Sequence, residues 1–231
     1  MFDQLHADGV IYAELRFAPL LHLNQYLTAE EVIETVLDAM QINSHIFDIK
    51  ANLILCTLRH FTAEQSLETA RLVTKYLHYG VVALDLAADE ARYPLDNHVE
   101  AFNYVRQHGG NCIAHAGEAK DFVSVNETLN KLKVSRIGHG VRSIADRATL
   151  DRLLAEHIHL VICAGCNIVC NIYPSIEEHP VNALFREGIS LSINTDARTV
   201  ANTSLDKEYQ LLHHVFGWDT EEFLVCNINA I

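Results

Sequence analysis

The 231-residue chain is poor in the residues that mark linkers and flexible segments. It has four prolines and ten glycines, no low-complexity stretch, and 49% apolar residues. No apolar run approaches the roughly 20 residues of a membrane span, and the start MFDQLHADG lacks the pattern of a secretory signal peptide. We therefore predict a single folded domain covering residues 1–231, with a cytoplasmic location.

Basic side chains are also scarce. Seventeen Lys and Arg residues stand against thirty Asp and Glu residues, which gives a net charge of −13. A surface this acidic repels phosphate backbones and anionic lipids, so nucleic-acid and membrane partners are not expected. With no secretory route indicated, the six cysteines are predicted to be reduced thiols.

Several common functional motifs are missing from the sequence. It contains no GxGxxG, no GxxxxGK[ST] and no GxSxG, so nucleotide-phosphate loops and the serine nucleophile elbow have no support. The aromatic residues are scattered and do not form the stacking pattern of a single-strand binder.

What the sequence does contain is a repeated unit of a short apolar run followed by a segment of helical period. Residues 28–41, with Thr28 as N-cap and Glu31 three residues later, and residues 63–78 are two such predicted helices. The predicted strands are 10–18, 52–58, 81–88, 112–116, 135–140, 159–165 and 189–196.

The strand ends favour a closed barrel over an open sheet. Strands that alternate with helices predict a parallel sheet, and nearly every strand here ends in polar residues capable of chemistry. An open sheet collects its site at one switch point, whereas a barrel collects it from the carboxyl ends of many strands. We therefore predict an α/β fold, a TIM-type (β/α)8 barrel that is incomplete in this chain, with seven βα units and the first strand absent.

Imidazoles and carboxylates at these strand ends suggest a metal-assisted hydrolase. His115 and Asp196 are candidate metal ligands, because zinc takes imidazole nitrogen and carboxylate oxygen. Glu118 could transfer a proton beside them, and His139, between two glycines, has room to approach a substrate. Each residue alone also fits a solvated loop residue or a histidine bonded to backbone, and only their recurrence favours function.

Two other patterns resemble metal sites but have simpler readings. His157 and His159 form a His-x-His pair that precedes its strand, which is the wrong face of a barrel for chemistry, so a structural or surface role is predicted. Cys163, Cys166 and Cys170 lack an obvious fourth ligand for zinc or an iron–sulfur cluster. They are predicted to be buried thiols that act as small apolar residues.

Three motifs in order give a family resemblance. HAGE at 115–118, GHG at 138–140 and NTD at 194–196 resemble those of the adenosine deaminase family of metal-dependent hydrolases. Supporting stretches are ELRFAP at 14–19, LDLAADE at 84–90 and SIEEHP at 175–180.

The resemblance implies a reaction and a role for each residue. The reaction is hydrolytic removal of the 6-amino group of adenosine or a related purine nucleoside, with one Zn2+ per complete site. His115 and Asp196 would hold zinc, Glu118 would protonate the purine ring, and His139 would orient the attacking hydroxide. The expected partner is a small-molecule purine nucleoside.

The sequence departs from the family at three places. The family's first strand carries a His-x-His pair that supplies two zinc ligands, and this chain begins after that strand, so weak zinc binding is expected. Ala197 replaces an aspartate that bonds a purine nitrogen in many members. Ala88 replaces a common glycine whose backbone N–H meets the substrate.

These departures leave two functions open. One is an adenosine deaminase-type enzyme. The other is a catalytically silent truncated barrel or pseudoenzyme, acting as a binding or interaction protein. A barrel without one strand would expose two sheet edges, so association through those edges is expected, with an oligomeric state that the sequence does not give.

Overall fold

Strands and helices alternate along the whole of the computed structural model, which describes residues 1–230. The strands are β1 (Tyr12–Phe17), β2 (Lys50–Leu58), β3 (Val81–Ala87), β4 (Asn111–Ala116), β5 (Arg136–His139), β6 (His159–Ile162) and β7 (Leu191–Ile193). Each of the seven predicted strands is present. The sixth ends at Ile162 rather than at Gly165, because the backbone at Cys163 turns into a helix.

Helices follow every strand. They are α1 (Phe2–Ala7), α2 (Ala29–Phe47), α3 (Ala63–Tyr76), α4 (Val99–Gln107), α5 (Phe122–Leu132), α6 (Arg147–Ala155), α7 (Ala164–Val169), α8 (Val181–Arg186), α9 (Arg198–Ala201), α10 (Leu205–Phe216) and α11 (Thr220–Ala230). The predicted capping box at Thr28 and Glu31 begins α2. A second box at Thr62 and Gln65 begins α3.

The chain divides into two compact units, and each has a parallel sheet in chain order. Unit 1 is Met1–Ala114 with Lys131–Lys133, and unit 2 is His115–Asn130 with the described residues from Val134 onward. In unit 1, β1 pairs with β2, β2 with β3, and β3 with the first part of β4. In unit 2, β5 pairs with β6 and β6 with β7.

This succession of parallel strands and flanking helices confirms the predicted fold class. The described residues contain seven of the eight strand–helix repeats of a TIM-type (β/α)8 barrel. That residues 1–231 form one domain stays a prediction. Among residues 1–230, no helix combines the length and the apolar character needed to cross a bilayer.

A buried ion pair lies at the polar strand ends of unit 1. Arg16 Nη1 donates to Asp85 Oδ2 at 2.9 Å, and the Asp85 side chain is fully buried. The thiol of Cys56 lies 3.7 Å from the same oxygen. A buried carboxylate needs such partners, because desolvation would otherwise disfavour its ionised form.

His159 begins β6 and makes contacts that agree with the predicted structural role. Its Nδ1 lies 2.9 Å from Ser190 Oγ and its Nε2 lies 2.9 Å from Ser192 Oγ. Burial, and then the charge of Arg136, lower the pKa of the imidazole to about 4. The ring is therefore neutral in the folded state at neutral pH.

His159 should make the folded state sensitive to acid. Its pKa is lower in the folded than in the unfolded chain, so its contribution is present above about pH 6.5 and is lost as the pH falls toward 4. Between pH 7.5 and pH 4.5 the free energy of unfolding should therefore fall by roughly 3 kcal/mol less in His159→Gln than in wild type. Urea unfolding at pH 7.5 and pH 4.5 measures the effect, with His157→Gln as the exposed control. Equal pH dependence in wild type and His159→Gln would contradict this assignment.

Ala88 follows β3 with a backbone conformation that suits glycine. Its φ is +76°, in the left-handed region. Ala88→Gly should raise the free energy of unfolding by about 0.5–1 kcal/mol, because relief of strain exceeds the extra entropy of an unfolded glycine. The neighbouring Ala87→Gly, inside β3, should lower it by a similar amount. Urea unfolding of both variants checks this, and a destabilised Ala88→Gly would contradict it.

Candidate functional site

Four predicted site residues lie at the carboxyl ends of strands in unit 2. His115 is the penultimate residue of β4, and Glu118 follows that strand by two residues. His139 ends β5, and Asp196 lies three residues beyond β7. In barrel enzymes this end of the strands carries the chemistry.

Glycines allow these elements to approach closely. A Cβ at Gly138 would lie only 2.9 Å from Cγ of His115, so only glycine lets this ring pack against β5. The backbone N–H of Gly140 donates to the Ala116 carbonyl at 3.0 Å, which ties the end of β4 to the segment after β5. The glycines that flank His139 in the sequence therefore have a packing function.

The carboxylates converge on the ring of His139. Its Nε2 lies 3.5 Å from Glu118 Oε2 and 3.8 Å from Asp196 Oδ2. The rings of His115 and His139 are 5.2 Å apart between centroids. His139 is 3% exposed, whereas the side chains of Glu118 and Asp196 are 24% and 32% exposed. In this cluster the imidazole of His139 is therefore buried, whereas the carboxylates of Glu118 and Asp196 are partly exposed to solvent.

The backbone at two of these residues is unusual for side chains that are not glycine. His139 has φ +63° and Asp196 has φ +53°. Left-handed residues of this kind carry strain and concentrate at functional sites. This conformation turns the backbone at the end of β5 and again three residues beyond β7.

Two further buried residues, which no sequence motif predicts, contact the cluster. Asn167, in α7, donates from Nδ2 to Glu118 Oε1 at 2.8 Å and lies 3.2 Å from His139 Nδ1. His179 Nε2 lies 3.2 Å from Asn167 Oδ1. Asn167 is fully buried and His179 is 3% exposed. The only sequence signals were an amide inside the apolar segment CNIV and the His-Pro of SIEEHP.

The thiols near the site behave in different ways. Cys163 and Cys166 are buried as predicted, but the prediction is wrong for Cys170, which is exposed because it follows the last turn of α7. The Cys166 thiol donates to Asp196 Oδ2 at 3.3 Å, and burial raises its pKa. Cys163 joins His139 and Asp196 as a possible metal-binding group, with ligand atoms all within 4.8 Å of one another.

The two alanines predicted to contact substrate have separate places. Ala197 is exposed beside Asp196 and is the N-cap of α9 in unit 2. Ala88 is exposed at the carboxyl end of β3 in unit 1. Both are at strand ends of the kind that carry barrel sites, and their role in substrate binding stays a prediction.

Strand–helix repeats with histidines and carboxylates at the carboxyl ends define a barrel enzyme. The chain belongs to the adenosine deaminase family, whose profile matches residues 1–231. It is an adenosine deaminase-type hydrolase. It is 36% identical over 232 residues to an adenosine deaminase of Clostridium botulinum strain Okra, covering 100% of this chain and 69% of that protein.

Solved structures show the same fold. The adenine deaminase of Arthrobacter aurescens superimposes with a TM-score of 0.92 at 24% identity, covering 99% of this chain and 69% of that one. An amidohydrolase of Burkholderia ambifaria with bound Zn gives 0.91 at 18% identity, covering 99% and 64%. The fold is therefore shared with deaminases and with a zinc-containing hydrolase.

Proposed function

We propose that the protein removes the 6-amino group of adenosine or a related 6-aminopurine nucleoside by zinc-dependent hydrolysis. The observation that carries the proposal is the convergence of Glu118 and Asp196 on Nε2 of His139, at 3.5 and 3.8 Å. The family and the deaminase relatives support this reaction class.

The donor atoms of the site fit zinc. The assigned ligand types, imidazole nitrogen and carboxylate oxygen, are donors that zinc binds, and Asp196 lies in a group with His139 and Cys163 whose ligand-type atoms are all within 4.8 Å of one another. We assign His115 and Asp196 as zinc ligands. When bound, zinc acts as a Lewis acid and lowers the pKa of water.

Glu118 is the proton-transfer group of the proposal. Its Oε1 accepts from Asn167, which fixes the carboxyl plane, while its Oε2 faces His139. Hydrolysis at C6 requires a proton on the purine ring as water attacks, and a carboxyl group that has accepted a proton can supply it. The carboxyl bonds to a buried amide on one side and is 24% exposed to solvent, which suits such exchange.

His139 orients the attacking water. Its buried ring is held by the left-handed backbone and by Asn167, and its Nε2 faces the same space as Glu118 and Asp196. An oriented imidazole beside the reacting oxygen reduces the entropy that must be lost in the transition state.

The test of the proposal is turnover of aminopurines by zinc-loaded protein. Adenosine, adenine and AMP are incubated with the protein, and loss of the 6-amino group is followed by ultraviolet absorbance and by ammonia release. Adenosine should be deaminated, and chelation should stop the reaction. No turnover of any compound by folded, zinc-loaded protein would reject the proposal and favour a barrel that binds without catalysis.

The residue at position 197 should affect how well adenosine is used as a substrate. An aspartic acid at this position could form a hydrogen bond with a purine nitrogen, and such a contact is worth about 1–3 kcal/mol when bound substrate buries it. Ala197→Asp should therefore raise kcat/KM for adenosine by about 5–150-fold. Val200→Asp, on the exposed face of α9, adds the same charge and should change little. An unchanged or lower kcat/KM in Ala197→Asp would indicate that this position does not face the purine.

A further inference from the structure

We propose that His179, acting through Asn167, fixes the tautomer of His139 so that its ring proton lies on Nε2, facing Glu118 and Asp196. The catalytic value of this arrangement rests on the proposed deamination. The arrangement itself is a property of the folded chain and can be measured without turnover. The evidence is a series of hydrogen bonds within unit 2. The direction of each bond fixes which atom is the donor in the next one.

The first bond starts from a backbone amide, whose role as donor is fixed. Val181 N–H donates to Nδ1 of His179 at 3.2 Å. Nδ1 is therefore an acceptor, and the ring proton must be on Nε2. Burial lowers the pKa of His179 to about 4, which keeps the ring neutral at neutral pH. A neutral imidazole carries one ring proton, and at His179 only Nε2 can hold it.

The second bond orients the amide of Asn167. Nε2 of His179 carries the proton and lies 3.2 Å from Asn167 Oδ1, so that oxygen accepts. The amide NH2 group must then point the other way. The choice between amide oxygen and nitrogen is thus settled by the fixed donor at Val181.

The third step distributes the two hydrogens of that NH2 group. One is donated to Glu118 Oε1 at 2.8 Å, and the other is directed to His139 Nδ1 at 3.2 Å. An ionised carboxylate can only accept, so Glu118 requires the same amide orientation from the opposite end. Glu118 and His179, at opposite ends of the network, therefore require the same orientation of the Asn167 amide.

The consequence for His139 is a defined tautomer. Because its Nδ1 accepts from Asn167, a neutral ring carries its proton on Nε2, which faces Glu118 Oε2 and Asp196 Oδ2. One buried amide thus sets both the orientation of the Glu118 carboxyl and the donor atom of His139. Asn167 and His179 are positioning residues, because they act on the site through Glu118 and His139.

Packing is the competing explanation for His179. Its ring lies against the ring of Tyr173, with centroids 5.1 Å apart. The guanidinium carbon of Arg142 lies 4.7 Å from the centroid of the same Tyr173 ring. Loss of the His179 ring could therefore loosen this loop without any effect on His139. The experiment separates the two roles by changing the ring contact and the hydrogen bond independently.

The test is nuclear magnetic resonance of the imidazole nitrogens in zinc-free protein with 15N-labelled histidine at pH 8. Signals of His139 are assigned by their absence in His139→Asn. Wild type should show a protonated-type Nε2 and an unprotonated Nδ1 at His139. His179→Leu, which removes the donor, should lose this pattern, and His179→Gln, which restores an N–H donor, should recover it. Tyr173→Leu removes the ring contacts with His179 and Arg142 but keeps the hydrogen bonds of His179, and it should leave the pattern intact.

Several outcomes would overturn the inference. A protonated Nδ1 at His139 in wild type would do so directly, even if no variant folded. An unchanged His139 pattern in folded His179→Leu would show that packing is the whole role of His179. In the turnover assay, His179→Leu should lower kcat by about 10²-fold with little change in KM. The expected tautomer in a protein without turnover would reject the proposed function and leave this inference standing.

Discussion

Glu118→Gln is expected to lower the rate of deamination by about 10²–10⁴-fold, the usual loss when a positioned acid–base group is removed. The amide keeps the size of the carboxyl and can still meet Asn167 through its oxygen. It cannot accept a proton from solvent and pass it to the purine ring. Steady-state kcat at pH 7, measured with zinc present, gives the result.

The control for this variant is Glu64→Gln, the same substitution at an exposed position in the first turn of α3. It should retain full activity. Glu118→Gln should also retain its zinc content and its unfolding midpoint, because Glu118 is not assigned as a ligand. A rate within tenfold of wild type would remove Glu118 from the proton-transfer role.

Asp196→Asn is expected to weaken zinc binding by at least about a hundredfold. Structural zinc sites gain about 10–16 kcal/mol from four ligands, so one ligand contributes roughly 3 kcal/mol or more. The amide oxygen of Asn is uncharged and cannot replace the carboxylate. Competition titration with a zinc-binding dye measures the dissociation constant, and mass spectrometry of dialysed protein measures zinc content.

Asp151→Asn is the matched control, since Asp151 is exposed on α6 and pairs with Arg147. Its zinc affinity should equal that of wild type. Cobalt substitution adds a check on the ligand set, because a thiolate ligand at Cys163 would give an intense charge-transfer band, and none is expected with His115 and Asp196. Equal zinc affinity in Asp196→Asn and wild type would contradict the assignment of Asp196.

Much of the fold could be predicted because its signals are local. β-branched apolar runs predicted all seven strands, and Thr28 with Glu31 predicted the start of α2. The end of β6 could not be predicted, because the apolar run continues into α7 and short apolar segments do not distinguish strand from helix.

The site was predictable only where its residues follow strands directly. His115, Glu118, His139 and Asp196 could be selected because polar groups after apolar runs meet at one end of a barrel. Asn167 could not, because its bonds to Glu118 and His139 join residues 49 and 28 positions apart. A buried amide has no local pattern, and its partners become known only from tertiary structure.

The amide of Asn167 also has consequences for how this sequence can change in evolution. Its two hydrogens and its oxygen are all engaged, by Glu118, His139 and His179. Serine or aspartate at position 167 could not supply two donors in one direction and an acceptor in the other. We therefore expect a substitution at 167 to be tolerated only together with changes at its partner positions 118, 139 and 179, so that these positions, which lie far apart in the sequence, change together during evolution.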